Sequence, residues 1–90
     1  MLEIVCEISG KVQGVGYRDY VAQAAKECGV QGYAKNEPNG KVVVCAQGTQ
    51  SHLKDFIEYL HEGSVMSVVD KVSVRWNSAE TEYEDFSISR

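Results

Sequence analysis

The chain has 90 residues, 43% of them apolar, which is enough to close one modest core and too few for two. Its net charge of −4 is uneven: residues 1–41 carry five basic and five acidic side chains, whereas residues 42–90 carry four and eight. The second half therefore repels polyanions, and the lack of a basic stripe interleaved with aromatics argues against a nucleic-acid surface. Three cysteines without a Cys-x-x-Cys spacing suggest neither a disulfide framework nor a zinc site. No apolar run approaches the roughly 18 residues of a membrane helix, and Met1-Leu2-Glu3-Ile4 alternates instead of running apolar like a signal peptide. The expectation is one free-standing domain over 1–90, cytoplasmic, with no membrane partner.

Leu2, Ile4, Cys6, Ile8 and Val12 alternate with polar residues, so a strand with one buried face is expected to about residue 12. By the same parity Cys6 lies on the core face and Cys45 on the other, so both are expected to be free thiols. A glycine-spaced stretch, residues 10–16, leads into Tyr17, Val21, Ala24 and Cys28, which recur at helical spacing until Gly29 caps the helix. Gln31 to Asn36 and Lys41 to Gln47 read as two strands joined by the turn Glu37-Pro38-Asn39-Gly40. Leu53, Phe56, Ile57 and Leu60 then mark one face of a second helix, with Thr49 or Ser51 to cap its start and Gly63 its end. Val72, Val74 and Trp76 alternate in a fourth strand, and Phe86 and Ile88 follow in a short edge strand after an acidic loop. The order βαββαβ(β) predicts an α+β, ferredoxin-like split βαβ sandwich: an antiparallel four- to five-stranded sheet with two helices on one face.

Chemistry concentrates between the first strand and the first helix. Gly10, Gly14 and Gly16 free the backbone to turn successive N–H groups inward as an anion-binding nest, and the helix adds its unsatisfied N–H groups at the same point. Arg18 in the first helical turn is at the wrong end of the helix dipole unless something negative sits beside it. Asp19 could be that partner, which leaves a plain surface pair as the alternative to an anion site. Two nucleotide motifs fail: Gly16 is followed by Tyr17-Arg18 and not by Lys-Ser/Thr, and Asp19 stands where a dinucleotide fingerprint needs glycine.

The run Ile8-Ser9-Gly10-Lys11-Val12-Gln13-Gly14-Val15-Gly16-Tyr17-Arg18 resembles the first signature of the acylphosphatase family. Gly32-Tyr33-Ala34-Lys35-Asn36, followed by Gly40, Val42 and Gly48, is similar to that family's second signature at every fixed position. The resemblance implies a metal-free hydrolase of acyl phosphates without cofactor. Arg18 would bind the phosphoryl group, Asn36 would hold the attacking water, and Gln13, Gly14, Val15, Gly16, Tyr17 and Arg18 would supply the amide cradle. It also implies a small-molecule acyl phosphate as substrate and inorganic phosphate as product and competitor, with a monomer expected. One departure is visible: Tyr17 stands where the family usually has phenylalanine or methionine, and its added hydroxyl is expected to be tolerated by reaching the rim. The alternative is a non-catalytic anion-binding or protein-interaction module on the same fold.

Other candidates are weaker. His52 and His61 are nine residues apart, about 180° around one helix, so they cannot ligate a common metal from it. Glu3 and Glu7 read as a charged sheet face, Tyr33 and Trp76 as sheet packing. Asn36 taken alone could simply begin the turn that follows it.

Overall fold

Seven elements follow one another in the computed structural model, which describes residues 1–89: β1 (Leu2–Lys11), α1 (Tyr17–Cys28), β2 (Gln31–Asn36), β3 (Val42–Gly48), α2 (Gln50–Glu62), β4 (Val68–Ser78) and β5 (Phe86–Ser89). Their order across the sheet is β4-β1-β3-β2-β5. The first four of these strands pair antiparallel with their neighbours, while β5 runs parallel to β2, so the sheet is mixed and not purely antiparallel. Parallel pairing needs a long return of the chain, and here β3, α2 and β4 intervene between β2 and β5. With two helices packed on this sheet, the architecture is the expected ferredoxin-like α+β sandwich.

The period-2 pattern of β1 does what it predicts. Ile4, Cys6 and Ile8 are fully buried, and their antiparallel partners Ala46, Val44 and Val42 are buried beside them. From the other layer Val21, Ala24 and Ala25 of α1 and Leu53, Phe56 and Leu60 of α2 close the core. Each large aliphatic or aromatic side chain so buried stabilises the fold by about 1.5–3 kcal/mol. Gly29 ends α1 in a left-handed conformation, and Thr49 is the residue that caps α2, its Oγ1 accepting from the His52 N–H at 3.2 Å.

Two expectations about the sheet need correction. Trp76 pairs with Ile4 and so faces the helices, but it is 41% exposed, because β4 is an edge strand and only β1 flanks it. The face opposite the helices is not simply a charged, solvated surface: the stretch between β4 and β5 folds across it and buries Gln47 and Cys45. Tyr83 from that stretch meets Tyr33 edge-on, with ring centroids 5.8 Å apart. Cys6 and Cys45 thus lie on opposite faces, and all three cysteines are free. Burial pushes the thiols of Cys6 and Cys45 up to about 12, which keeps both neutral and unreactive at ordinary pH.

Candidate functional site

The loop between β1 and α1 is shaped by two left-handed glycines, Gly14 at φ 71° and Gly16 at φ 76°. A Cβ at either position would meet nothing within 4 Å, so glycine is needed for conformation alone and the space in front of the loop is open. Gly16 is also the N-cap of α1, with no side chain capping the helix. The first intrahelical bond runs from the Tyr20 N–H to the Gly16 carbonyl at 3.1 Å, which leaves the N–H groups of Tyr17, Arg18 and Asp19 without helical partners. A cavity of about 160 Å³ opens at this point, lined by Gly14, Gly16, Arg18, Asp19 and Ile88 among others. Unpaired amides and a helix N-terminus in one small concavity favour an anion. A larger groove, about 590 Å³, separates α1 from α2, but Glu27, Asp55, Glu58 and Glu62 line it and oppose an anionic substrate.

Arg18 enters from the first turn of α1, and its Nη1 donates to the Ser89 carbonyl at 2.9 Å. Among the described residues it forms no ion pair, with Asp19 or any other carboxylate; the ion pair seen there joins Lys41 Nζ to Glu7 Oε1 at 3.0 Å. The surface pairing of Arg18 with Asp19 is therefore not formed. Among the described residues one carbonyl orients the guanidinium, and most of its five N–H donors have no partner there.

Asn36 closes β2, opposite Val42 of β3. It does not line the cavity itself but stands next to it through two connections. Ser89, which holds Arg18, is the parallel partner of Lys35, the residue before Asn36. Gln13 in the cradle loop donates through Nε2 to the carbonyls of Glu37 and Lys41 at 2.8 and 2.9 Å, pinning the loop to the turn that follows Asn36. The Oδ1 of Asn36 is buried and has no hydrogen-bond partner among the described residues. A buried acceptor left alone costs about 1–3 kcal/mol, so folding does not account for its position.

Tyr17 corrects an expectation. Its ring is 1% exposed and its hydroxyl donates to the Leu60 carbonyl at 2.8 Å, tying α1 to the last turn of α2 instead of reaching the rim. Burial raises its pKa above the ordinary tyrosine range, so the phenol is neutral. Gln13 is the residue whose side chain sequence reasoning missed, as were Ile88 and Ser89. Bonds spanning 24, 28 and 71 residues leave no local signal.

These two signatures and this fold recur in known proteins. The acylphosphatase family model matches residues 4–88. The chain belongs to the acylphosphatase family. It is 39% identical over 83 residues to an acylphosphatase of Methanococcoides burtonii, covering 92% of this chain and 86% of that one. With an acylphosphatase of Marinobacter nauticus it shares 43% identity over 79 residues, 88% of this chain and 86% of the relative. A crystal structure of acylphosphatase from Bacillus subtilis superposes over the whole of both chains with a TM-score of 0.97 at 33% identity. Family and fold together support acyl phosphate hydrolysis as the activity of this chain. Among its described residues no three His, Cys, Asp or Glu side chains gather into a metal site, and no helix is long and apolar enough to cross a membrane.

Proposed function

We propose that this chain cleaves the carboxyl-phosphate bond of acyl phosphates by in-line attack of a water oriented by Asn36, with the phosphoryl group held by Arg18 and the backbone amides of residues 13–18. The observation that carries the roles is the orphaned Oδ1 of Asn36, a buried acceptor beside a cradle of unpaired donors. A side-chain amide donates and accepts at once, so Asn36 suits orienting a water with that water's lone pair aimed at phosphorus. Phosphoryl transfer passes through a loose transition state with charge on the equatorial oxygens, so positioning and electrostatic stabilisation supply most of the catalysis. Arg18 and the amides provide that charge stabilisation. The new P–O bond forms from the water, the bond to the carboxyl oxygen breaks, and the carboxylate leaves with the electron pair. The water proton passes to a phosphoryl oxygen of the substrate. A carboxylate departs without a strong acid, so neither a catalytic histidine nor a metal is required in this scheme. The reading is of a cofactor-free monomer working in the cytoplasm.

The test is benzoyl phosphate hydrolysis in excess EDTA, followed by loss of ultraviolet absorbance, with inorganic phosphate as competitor. Turnover that survives EDTA and is competitively inhibited by phosphate is expected. Folded protein that binds phosphate but turns nothing over would reduce the site to a non-catalytic anion binder.

A further inference from the structure

The cradle loop leaves the strand pair that carries Asn36 well before it reaches the cradle. β1 pairs with β3 only as far as Ile8, opposite Val42, and continues along β4 to Lys11 past an irregularity between Ser9 and Gly10. Val42 is also the partner of Asn36 on the other side of β3. Beyond Ile8 the ladder therefore no longer holds the loop at a set distance from Asn36. Gln13 restores the connection: half-buried, it donates through Nε2 to the carbonyls of Glu37 and Lys41 at 2.8 and 2.9 Å. Among the described residues these are the hydrogen bonds that join the loop to the β2–β3 turn.

The two carbonyls do not need Gln13 to be satisfied. The Glu37 N–H donates to the Lys41 carbonyl at 2.8 Å and the Gly40 N–H to the Glu37 carbonyl at 3.1 Å, so each acceptor already has a partner within the turn. A carbonyl oxygen has two lone pairs, and Gln13 takes the second of each. Losing it strands neither acceptor, so the bonds set a position more than they satisfy the backbone. Both partners are acceptors, hence the amide nitrogen must face them and both its hydrogens are used. A planar group held at two points fixes distance and direction together. On one side of this clamp Gln13 is followed by Gly14, the first left-handed residue of the cradle. On the other, Glu37 is preceded by Asn36 with its buried, unpartnered Oδ1. The other link from the turn, the Lys41–Glu7 ion pair, is 41% and 54% exposed and reaches β1 instead of the loop, so it restrains this spacing little.

We propose that Gln13 is a positioning residue for the hydrolysis: its side-chain amide sets the spacing between the cradle that holds phosphorus and the Asn36 amide that holds the water, and with it the line of attack. The inference rests on the hydrolase reading and deepens it. Gln13 acts through Asn36 and not on the substrate. In-line attack tolerates little misplacement, and an error of about 1 Å can cost about 10²-fold in rate. Phosphate binding, by contrast, uses the cradle and Arg18 and does not depend on the distance to Asn36. Loss of the Gln13 amide therefore falls on kcat and spares phosphate affinity.

The experiment is a double-mutant cycle on benzoyl phosphate with Gln13→Met, which keeps the length of the side chain but cannot donate, Asn36→Ala, and the two combined. Each variant is also titrated with inorganic phosphate by calorimetry. Gln13→Met is expected to lower kcat by about tenfold or more, with phosphate affinity within about twofold of wild type. In the Asn36→Ala background it is expected to cost nothing further, since a water no longer held by Asn36 cannot be misaimed by the turn. Gln13→Ala repeats the cycle with a shorter side chain, and circular dichroism checks that all variants remain folded. Losses that multiply in the combined variant, or a fall in phosphate affinity that matches the fall in kcat, overturn the positioning role and leave the hydrolase standing. Wild-type kcat in Asn36→Ala overturns the assignment of the water and the role of Gln13 with it. No turnover by the folded wild type overturns the hydrolase as well.

Discussion

Gln47 on β3 and Asn36 on β2 are side-chain amides near opposite ends of one antiparallel strand pair, and the fold treats them in opposite ways. Gln47 is fully buried and saturated: Nε2 donates to Glu3 Oε1 at 3.0 Å and to the Thr81 carbonyl, and Oε1 accepts from the Tyr83 N–H at 3.0 Å. These bonds fasten the β4–β5 connection over the outer face of the sheet. Asn36 buries an oxygen with no partner among the described residues. A saturated buried amide is explained by the fold it holds together, while an unsaturated one points to a ligand that completes it.

The largest expected effect falls on the residue that both regions serve. β5 follows directly from the connection that Gln47 fastens, and the Ser89 carbonyl at its end holds Arg18 next to the cradle. Arg18→Ala should abolish inorganic phosphate binding by calorimetry and lower benzoyl phosphate kcat/KM by roughly 10³-fold or more; phosphate affinity near wild type would remove the arginine from the site. Asn36→Ala should lower kcat by roughly 10²-fold while phosphate affinity persists. Its thermal stability should hold or rise, since the change deletes an unpartnered acceptor. A loss of stability without a loss of kcat would make Asn36 a turn residue and dissolve the contrast.

Gln47→Leu should show the converse. It strands the Thr81 carbonyl and the Tyr83 N–H, so a destabilisation of about 2 kcal/mol is expected, read as a melting temperature lower by about 10 °C. kcat should change far less than in Asn36→Ala; a comparable fall would mean that the outer face governs the cradle through β5. The smallest effect belongs to Tyr17→Phe, which leaves the Leu60 carbonyl unpaired. It should cost about 1 kcal/mol of stability in chemical denaturation with phosphate binding retained. Lost phosphate affinity there would show that the hydroxyl shapes the loop after all.

What the sequence determined by itself is what short-range physics writes into adjacent residues. The period-2 and period-3.6 patterns fixed five strands and two helices, glycines at 14 and 16 marked a backbone that can turn its amides inward, and two spaced signatures pointed to Arg18 and Asn36 as candidates. Only the tertiary structure decided the rest, because it depends on contacts between distant segments. Phe86-Ser87-Ile88-Ser89 reads as an edge strand, but nothing in it says that it lies parallel to β2 and carries the carbonyl that aims Arg18. Gln13 reads as a loop residue until the hairpin is folded against it. Tyr17 sits at the start of a helix, where a polar tip suggests the rim, yet the packing of α1 on α2 turns it inward to Leu60. Periodicity reports which face of an element is buried; which partner meets that face is set when loops close and the elements stack, and that is where the site's orientation is made.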